Sequence, residues 1–175
     1  MNHGDHVNLL RRGVPAPGGV WADLGAGTGA FTLALAELVG PGATIYAVDR
    51  DHGALRQLAG AMRERFPAVT LHTLAADFTQ PLALPPLDGV VMANSLHFVR
   101  RKQPVLQTVR GYLKPGAPLL LVEYNTDHGN SWVPHPLSFA TWQELARDCG
   151  FARTDLLATR PSSFLGEFFA AASYG

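Results

Sequence analysis

Apolar residues along this 175-residue chain fall alternately into short unbroken runs and into stripes at three- and four-residue spacing. The runs Val20-Trp21-Ala22, Ala43 to Val48, Val69 to Leu74, Gly89 to Ala93 and Pro118 to Val122 predict strands, and the short apolar run Gly89 to Ala93 is of the kind expected for a strand covered on both faces. Between them, Phe31, Leu33, Leu35, Ala36, Leu38 and Val39 predict one helix, and Ala54, Leu55, Leu58, Ala59, Met62 and Phe66 a second. Val105, Leu106, Val109 and Leu113 predict a third. Gly40-Pro41-Gly42, Pro67 and Lys114-Pro115-Gly116 stop these helices, because glycine and proline do not continue them. A proline-rich connection from Pro81 to Pro86 enters the fourth strand.

After the fifth strand, Thr141-Trp142-Gln143-Glu144 matches a capping box that opens a helix ending near Gly150. Two further strands, around Thr154 to Ala158 and Phe168 to Ser173, are separated by Arg160-Pro161-Ser162-Ser163. So short a connection predicts an antiparallel hairpin rather than a crossover. The whole order describes an α/β fold: a doubly wound sheet, mostly parallel with an antiparallel C-terminal hairpin, in a single domain over residues 1–175.

Charge narrows the partners. Fourteen basic and fourteen acidic residues cancel, so no long-range field gathers nucleic acid or an anionic membrane. The one basic cluster, Arg100-Arg101-Lys102, opens a predicted helix and reads as a solvated patch. The single cysteine, Cys149, forms no internal disulfide and reads as a small buried hydrophobe. Met1 to His6 lacks a signal-peptide pattern and no apolar stretch is long enough to cross a bilayer, which predicts a cytoplasmic protein. Seven histidines show no metal-ligand spacing, so no metal site is expected.

The richest chemistry lies in Asp23-Leu24-Gly25-Ala26-Gly27-Thr28-Gly29, where a strand delivers a carboxylate and three alternating glycines into a helix. Glycines there permit a tight bend and close ligand approach, with exposed N–H groups expected to face the ligand. Gly25-x-Gly27-x-x-Ala30 also satisfies the loose dinucleotide fingerprint, so an NAD(P)-binding oxidoreductase stays an alternative. Asp23, two residues before the first glycine, would repel a pyrophosphate and favour a cation. S-adenosylmethionine (SAM), with a sulfonium and an ammonium but no phosphate, fits better.

This order of motifs resembles the class I SAM-dependent methyltransferases, Rossmann-like proteins, and within them the small-molecule branch around the ubiquinone and menaquinone biosynthesis methyltransferases. The resemblance covers nearly the whole chain. It implies that Gly25, Ala26, Gly27 and Gly29 lie beneath the methionine part of the cofactor and that Asp23 supports its amino end. Asp49, followed by Arg50, matches the acid that accepts hydrogen bonds from the ribose hydroxyls. Asp77 and Phe78 match the adenine-binding pair, Asn94 and Ser95 the motif on the cofactor's reactive side, and His6 is assigned to close over the methionine carboxylate.

On the acceptor side the resemblance implies substrate contacts from His97, Tyr124 and His128, with Asn125, Asp127 and His135 in the same connection. A histidine bonded to backbone is the alternative for His97. Trp132 and Trp142 are candidates for an apolar wall, with a core position the alternative for Trp142. The family shares no base, so no catalytic residue is assigned; in-line displacement proceeds largely through alignment and desolvation. Nineteen residues precede the first strand, fewer than many relatives place there. An open acceptor side follows, covered either by the loop from Asn125 to Leu137 or by a second subunit of a homodimer. The expected partner is a small-molecule acceptor; a SAM-binding module without activity is the remaining alternative.

Overall fold

The computed structural model describes residues 1–175. Seven strands form one sheet: β1 (Val20–Leu24), β2 (Thr44–Asp49), β3 (Thr70–Ala75), β4 (Gly89–Ala93), β5 (Pro118–Tyr124), β6 (Arg153–Ser162) and β7 (Gly166–Tyr174). Their spatial order is β3-β2-β1-β4-β5-β7-β6. β1 to β5 run parallel, while β7 pairs antiparallel with both β5 and β6. The five helices are α1 (His3–Leu10), α2 (Ala30–Val39), α3 (His52–Arg65), α4 (Lys102–Tyr112) and α5 (Phe139–Asp148). The first three bury their apolar stripes against one face of the sheet and the last two against the other. That two-sided cover explains why β4 and β5 are apolar runs instead of alternating ones.

Three expectations change. The chain opens with α1, capped by a reciprocal pair: Asn2 Oδ1 accepts the Asp5 N–H at 3.0 Å and Asp5 Oδ2 accepts the Asn2 N–H at 2.8 Å. Val7, Leu9 and Leu10 anchor it in the core. α5 begins at Phe139 with Ser138 as its cap, so Thr141 lies inside the helix and the expected capping box at Thr141 and Glu144 does not form. The hairpin strands run longer than expected, and Pro161 pairs with Glu167 inside β6. Proline is tolerated there because β6 is an edge strand whose outer N–H positions have no partner to lose.

The crossover from β3 to β4 keeps to the proline-rich connection read from the sequence. Residues 76–88 make it without a helix, as the prolines dictate. Leu82 and Leu84 pack on the sheet face a helix would have covered, and the Tyr112 hydroxyl accepts the Leu82 N–H at 2.7 Å. The connection from β3 reaches β4 on the far side of β1, so the strand order reverses between β1 and β4. In such sheets a crevice opens at the carboxyl ends of the strands where the order reverses.

Candidate functional site

The turn after β1 lies at that reversal. Gly25 and Ala26 donate their N–H groups to the Val48 carbonyl at 2.8 and 3.0 Å, and Gly29 donates to the Ala26 carbonyl at 2.9 Å. Gly27 donates to Asp49 Oδ2 at 2.8 Å. These four amides are therefore spent inside the protein, contrary to the expectation that they face a ligand. Gly25 has φ +86°, and a Cβ there would lie 2.4 Å from Ser95 Cβ, so only glycine fits between the two strand ends. At Gly27, also at positive φ, a Cβ would meet only open space, which leaves the backbone approachable from outside.

Beside the turn is a cleft of about 200 Å³ lined by Gly25, Asp49, Arg50, Phe78, Thr79, Asn94, Ser95, Phe98 and Val99. Asp49 ends β2. Its second oxygen, Oδ1, accepts the Asp51 N–H at 2.9 Å, and each carboxylate oxygen keeps a further acceptor site. Asn94 adopts φ +52°, and its Oδ1 is buried with no hydrogen-bond partner. Ser95 is held by donating its hydroxyl to the Leu24 carbonyl at 2.7 Å. An acceptor pair at Asp49, an orphaned acceptor at Asn94 and an approachable Gly27 suit a cationic nucleoside ligand such as SAM.

Asp23 is not in the cleft. Its carboxyl is 1% exposed beneath the turn and accepts the Thr32 hydroxyl at 2.6 Å. Burial pushes its pKa up to about 7, against the opposing Thr32 hydrogen bond and with help from the Asp49 charge. It braces the turn from below and is not among the residues that line the cleft. Asp77 stands at the rim, where Oδ1 accepts the Thr79 N–H at 2.9 Å and the Thr79 hydroxyl at 2.7 Å, and Oδ2 lies 3.6 Å from Arg50 Nη1. The Thr79 hydrogen bonds hold its carboxyl below the usual carboxylate range. Ala26 and Gly29 are structural, Gly29 packing on Leu58.

His6 is not among the residues that line the cleft. On α1 its ring is tilted against that of Phe31, the second residue of α2, with centroids 4.7 Å apart, and burial lowers its pKa. Pairs from His3 to Glu37 at 2.7 Å and from Arg160 to Asp5 at 2.8 Å hold α1 in place. A wider groove of about 460 Å³ opens at the opposite end of the strands around Arg110, Lys114 and Gly116, far from every residue with candidate chemistry.

The acceptor side centres on a residue the sequence reading missed. Glu123, next to last in β5, is 0% exposed. Its Oε2 lies 2.7 Å from His97 Nδ1, and its Oε1 accepts the His97 backbone N–H at 3.1 Å. His97 is thus bonded through its ring to a buried carboxylate, not to backbone. The signal was a lone glutamate after Leu119-Leu120-Leu121-Val122, since a charge on a fully covered strand demands a partner. Phe98 lies 4.3 Å and Tyr124 6.3 Å from the His97 ring, with Phe168 4.2 Å and Phe164 5.9 Å from Tyr124. Burial, then the Glu123 charge, raises the Tyr124 pKa.

His128 sits exposed in the loop after β5 and its side chain has no bonding partner. Its neighbours are structural: Asn125 accepts the Phe139 N–H at 2.9 Å and Asp127 the Ser138 N–H at 2.8 Å. Lys102, expected in a solvated patch, instead donates to the Val99 carbonyl at 2.9 Å and to the His135 carbonyl at 2.7 Å. It ties that loop to the segment after β4. Trp142 is fully buried in the core, whereas Trp132 is 76% exposed.

A family model described as a methyltransferase domain matches residues 22–119. Among curated proteins, the chain is 41% identical over 70 residues to the release factor glutamine methyltransferase of Gloeobacter violaceus, covering 39% of this chain and 24% of that protein. It is 30% identical over 105 residues to the ubiquinone/menaquinone biosynthesis C-methyltransferase of Azotobacter vinelandii, covering 59% of this chain and 41% of that one. The chain therefore matches less than half the length of either relative. Among solved structures, a SAM-dependent methyltransferase from Aquifex aeolicus superposes with a TM-score of 0.76 at 18% identity, over 97% of this chain and 88% of that one. That likeness extends the fold to both ends of the chain.

Proposed function

Because the chain belongs to the methyltransferase-domain family, we propose that it moves a methyl group from SAM to a small-molecule acceptor. The observation that carries this is the cleft at the reversal of strand order, where Asp49 and the partnerless Asn94 Oδ1 stand beside a glycine turn whose amides are already bonded. When bound, SAM supplies an electrophilic methyl group on a sulfonium. Asp49 offers its remaining acceptor sites to the ribose hydroxyls, bonds worth about 1.5–3 kcal/mol each to a charged group. Phe78 packs on the adenine, with Asp77 positioned at its rim for the amino group. Asn94 Oδ1 takes a donor from the methionine end, and Gly25 and Gly27 allow the close approach.

The dinucleotide alternative loses ground to the match with a methyltransferase-domain family, and the amides of Gly25, Ala26 and Gly27, bonded to Val48 and Asp49, leave fewer donors for a pyrophosphate. No helix is long and apolar enough to cross a membrane. The single buried cysteine supports the reducing cytoplasm as its place of work. Titration calorimetry is the test: SAM and S-adenosylhomocysteine bind with micromolar affinity, and NADH does not. Heat from NADH with none from SAM reverses the assignment.

A further inference from the structure

We propose that His97 and Glu123 form a catalytic dyad in which His97 Nε2 removes a proton from the acceptor, so that the acceptor is a hydroxyl or an acidified carbon and not a thiolate or a free amine. This rests on the methyltransferase reading and names the acceptor chemistry of the same site.

A glutamate with 0% exposure is an expensive way to hold a strand end. A backbone carbonyl or an apolar pair would do so without a buried charge. What the carboxylate adds is a fixed imidazole. Oε1 accepts the backbone N–H of His97 while Oε2 faces Nδ1 of the same residue, so main chain and ring are pinned by one group. With Glu123 ionised, Nδ1 must carry the hydrogen, and the lone pair of the neutral ring resides on Nε2. Nε2 has no partner in the protein and is not sealed from solvent, because the fully enclosed partnerless side-chain atoms are those of Asn94 and Trp142 alone. The carboxylate also stabilises the imidazolium that forms when Nε2 takes up a proton.

The surroundings fit the same use. His97 follows Ser95 by two residues, and Ser95, Phe98 and Val99 all line the cofactor cleft. Phe98 and Tyr124 flank the imidazole, and Phe164 and Phe168 extend the aromatic surface. Such walls suit a flat, conjugated acceptor. The charged and titratable groups that act on Glu123 are Tyr124 on β5 and Lys102 on α4, and the loop after β5 meets His97 through the His135 N–H, which donates to the His97 carbonyl at 3.0 Å. The Lys102 ammonium points at the Val99 and His135 carbonyls while its charge acts on Glu123.

The step balances. The acceptor's O–H or C–H proton passes to Nε2, and the electron pair left behind forms the new bond to the methyl carbon. The carbon–sulfur bond breaks with its pair returning to sulfur, which gives neutral S-adenosylhomocysteine, and the imidazolium later returns its proton to solvent. A thiolate or a free amine already owns its pair and needs no such base.

The experiment compares the parent with His97→Gln and Glu123→Gln, each first shown to melt cooperatively and to bind SAM by calorimetry. Nitrogen NMR of ¹⁵N-histidine protein, with S-adenosylhomocysteine as the added probe, reads the tautomer directly. The parent shows hydrogen on Nδ1, and Glu123→Gln moves the ring to a mixture of tautomers. Radiolabelled methyl transfer is then followed to catechol, acetylacetone and 2-mercaptoethanol across pH. Transfer to catechol or acetylacetone falls at least about a hundredfold in His97→Gln, the lower range for a general base, with SAM affinity kept within about twofold. In Glu123→Gln the acid limb of the kcat profile shifts. Hydrogen on Nε2 in the parent, transfer retained within about threefold in His97→Gln, or transfer confined to the thiol overturns the dyad. Absence of SAM binding in all three proteins overturns the methyltransferase reading instead.

Discussion

Two carboxylates, each next to last in its strand and each sealed from water, carry the two halves of this molecule in opposite ways. Asp23 on β1 has one neutral donor, the Thr32 hydroxyl, and lies near the charge of Asp49, so burial dominates and its pKa climbs to about 7. Glu123 on β5 receives a backbone N–H and an imidazole. The first acid stiffens the cofactor turn from below and is indifferent to a lost charge. The second has a partner that can use the charge. Burial alone does not say what a strand-end acid is for; the number and kind of its donors do.

The largest effect separating the two is in pH dependence. Asp23 keeps its proton in the folded chain up to about 7, whereas the unfolded chain gives it up near 3.8, as an ordinary aspartate does. Between those values the folded state binds more protons, so this group's stabilising contribution falls as pH rises from about 4 to about 7 and is flat above. The difference in unfolding free energy between parent and Asp23→Asn declines by roughly 4 kcal/mol over that window. Urea melts at several pH values measure it, and a difference independent of pH would mean that Asp23 is ionised when folded.

Next in size is Glu123→Ala, which strips the acceptor from a sealed amide and ring nitrogen and costs about 3 kcal/mol at neutral pH. A loss under about 1 kcal/mol would show the pair to be wetter than described. Asp49→Ala weakens SAM binding at least about tenfold, the loss of one charge-assisted bond or more. It also lowers stability without ligand by about 1–2 kcal/mol, because the Gly27 and Asp51 amides lose their acceptor. Calorimetry and melts read the two effects separately. Smallest is Arg50→Ala: its guanidinium is largely exposed and 3.6 Å from Asp77, so folding stability changes by under about 0.5 kcal/mol.

The strand order and the cleft were legible because fully covered strands leave unbroken apolar runs and because acids at strand ends follow in sequence. Asp49, Phe78, Asn94 and Ser95 do line one crevice with Gly25. What escaped were relations between distant positions. The amides of the glycine turn meet Val48 and Asp49, some twenty residues away, and no local pattern announces that. Reading β5 as ending at Val122 hid Glu123, although the strand runs to Tyr124. α1 escaped because three buried side chains, Val7, Leu9 and Leu10, give too short a stripe, while its Asn2 and Asp5 cap was there to be noticed. Thr141 misled for the reverse reason, a local match overruled by Ser138 three residues earlier.

The chain's three tryptophans are divided in a useful way: Trp21 and Trp142 are enclosed in the two cores, while Trp132 stands 76% exposed on the loop beside the aromatic surface. Ultraviolet emission from the native protein therefore carries a blue component from the interior and a red, acrylamide-quenchable one from that loop. The molecule comes with a built-in optical reporter of that loop, and no dye needs to be attached.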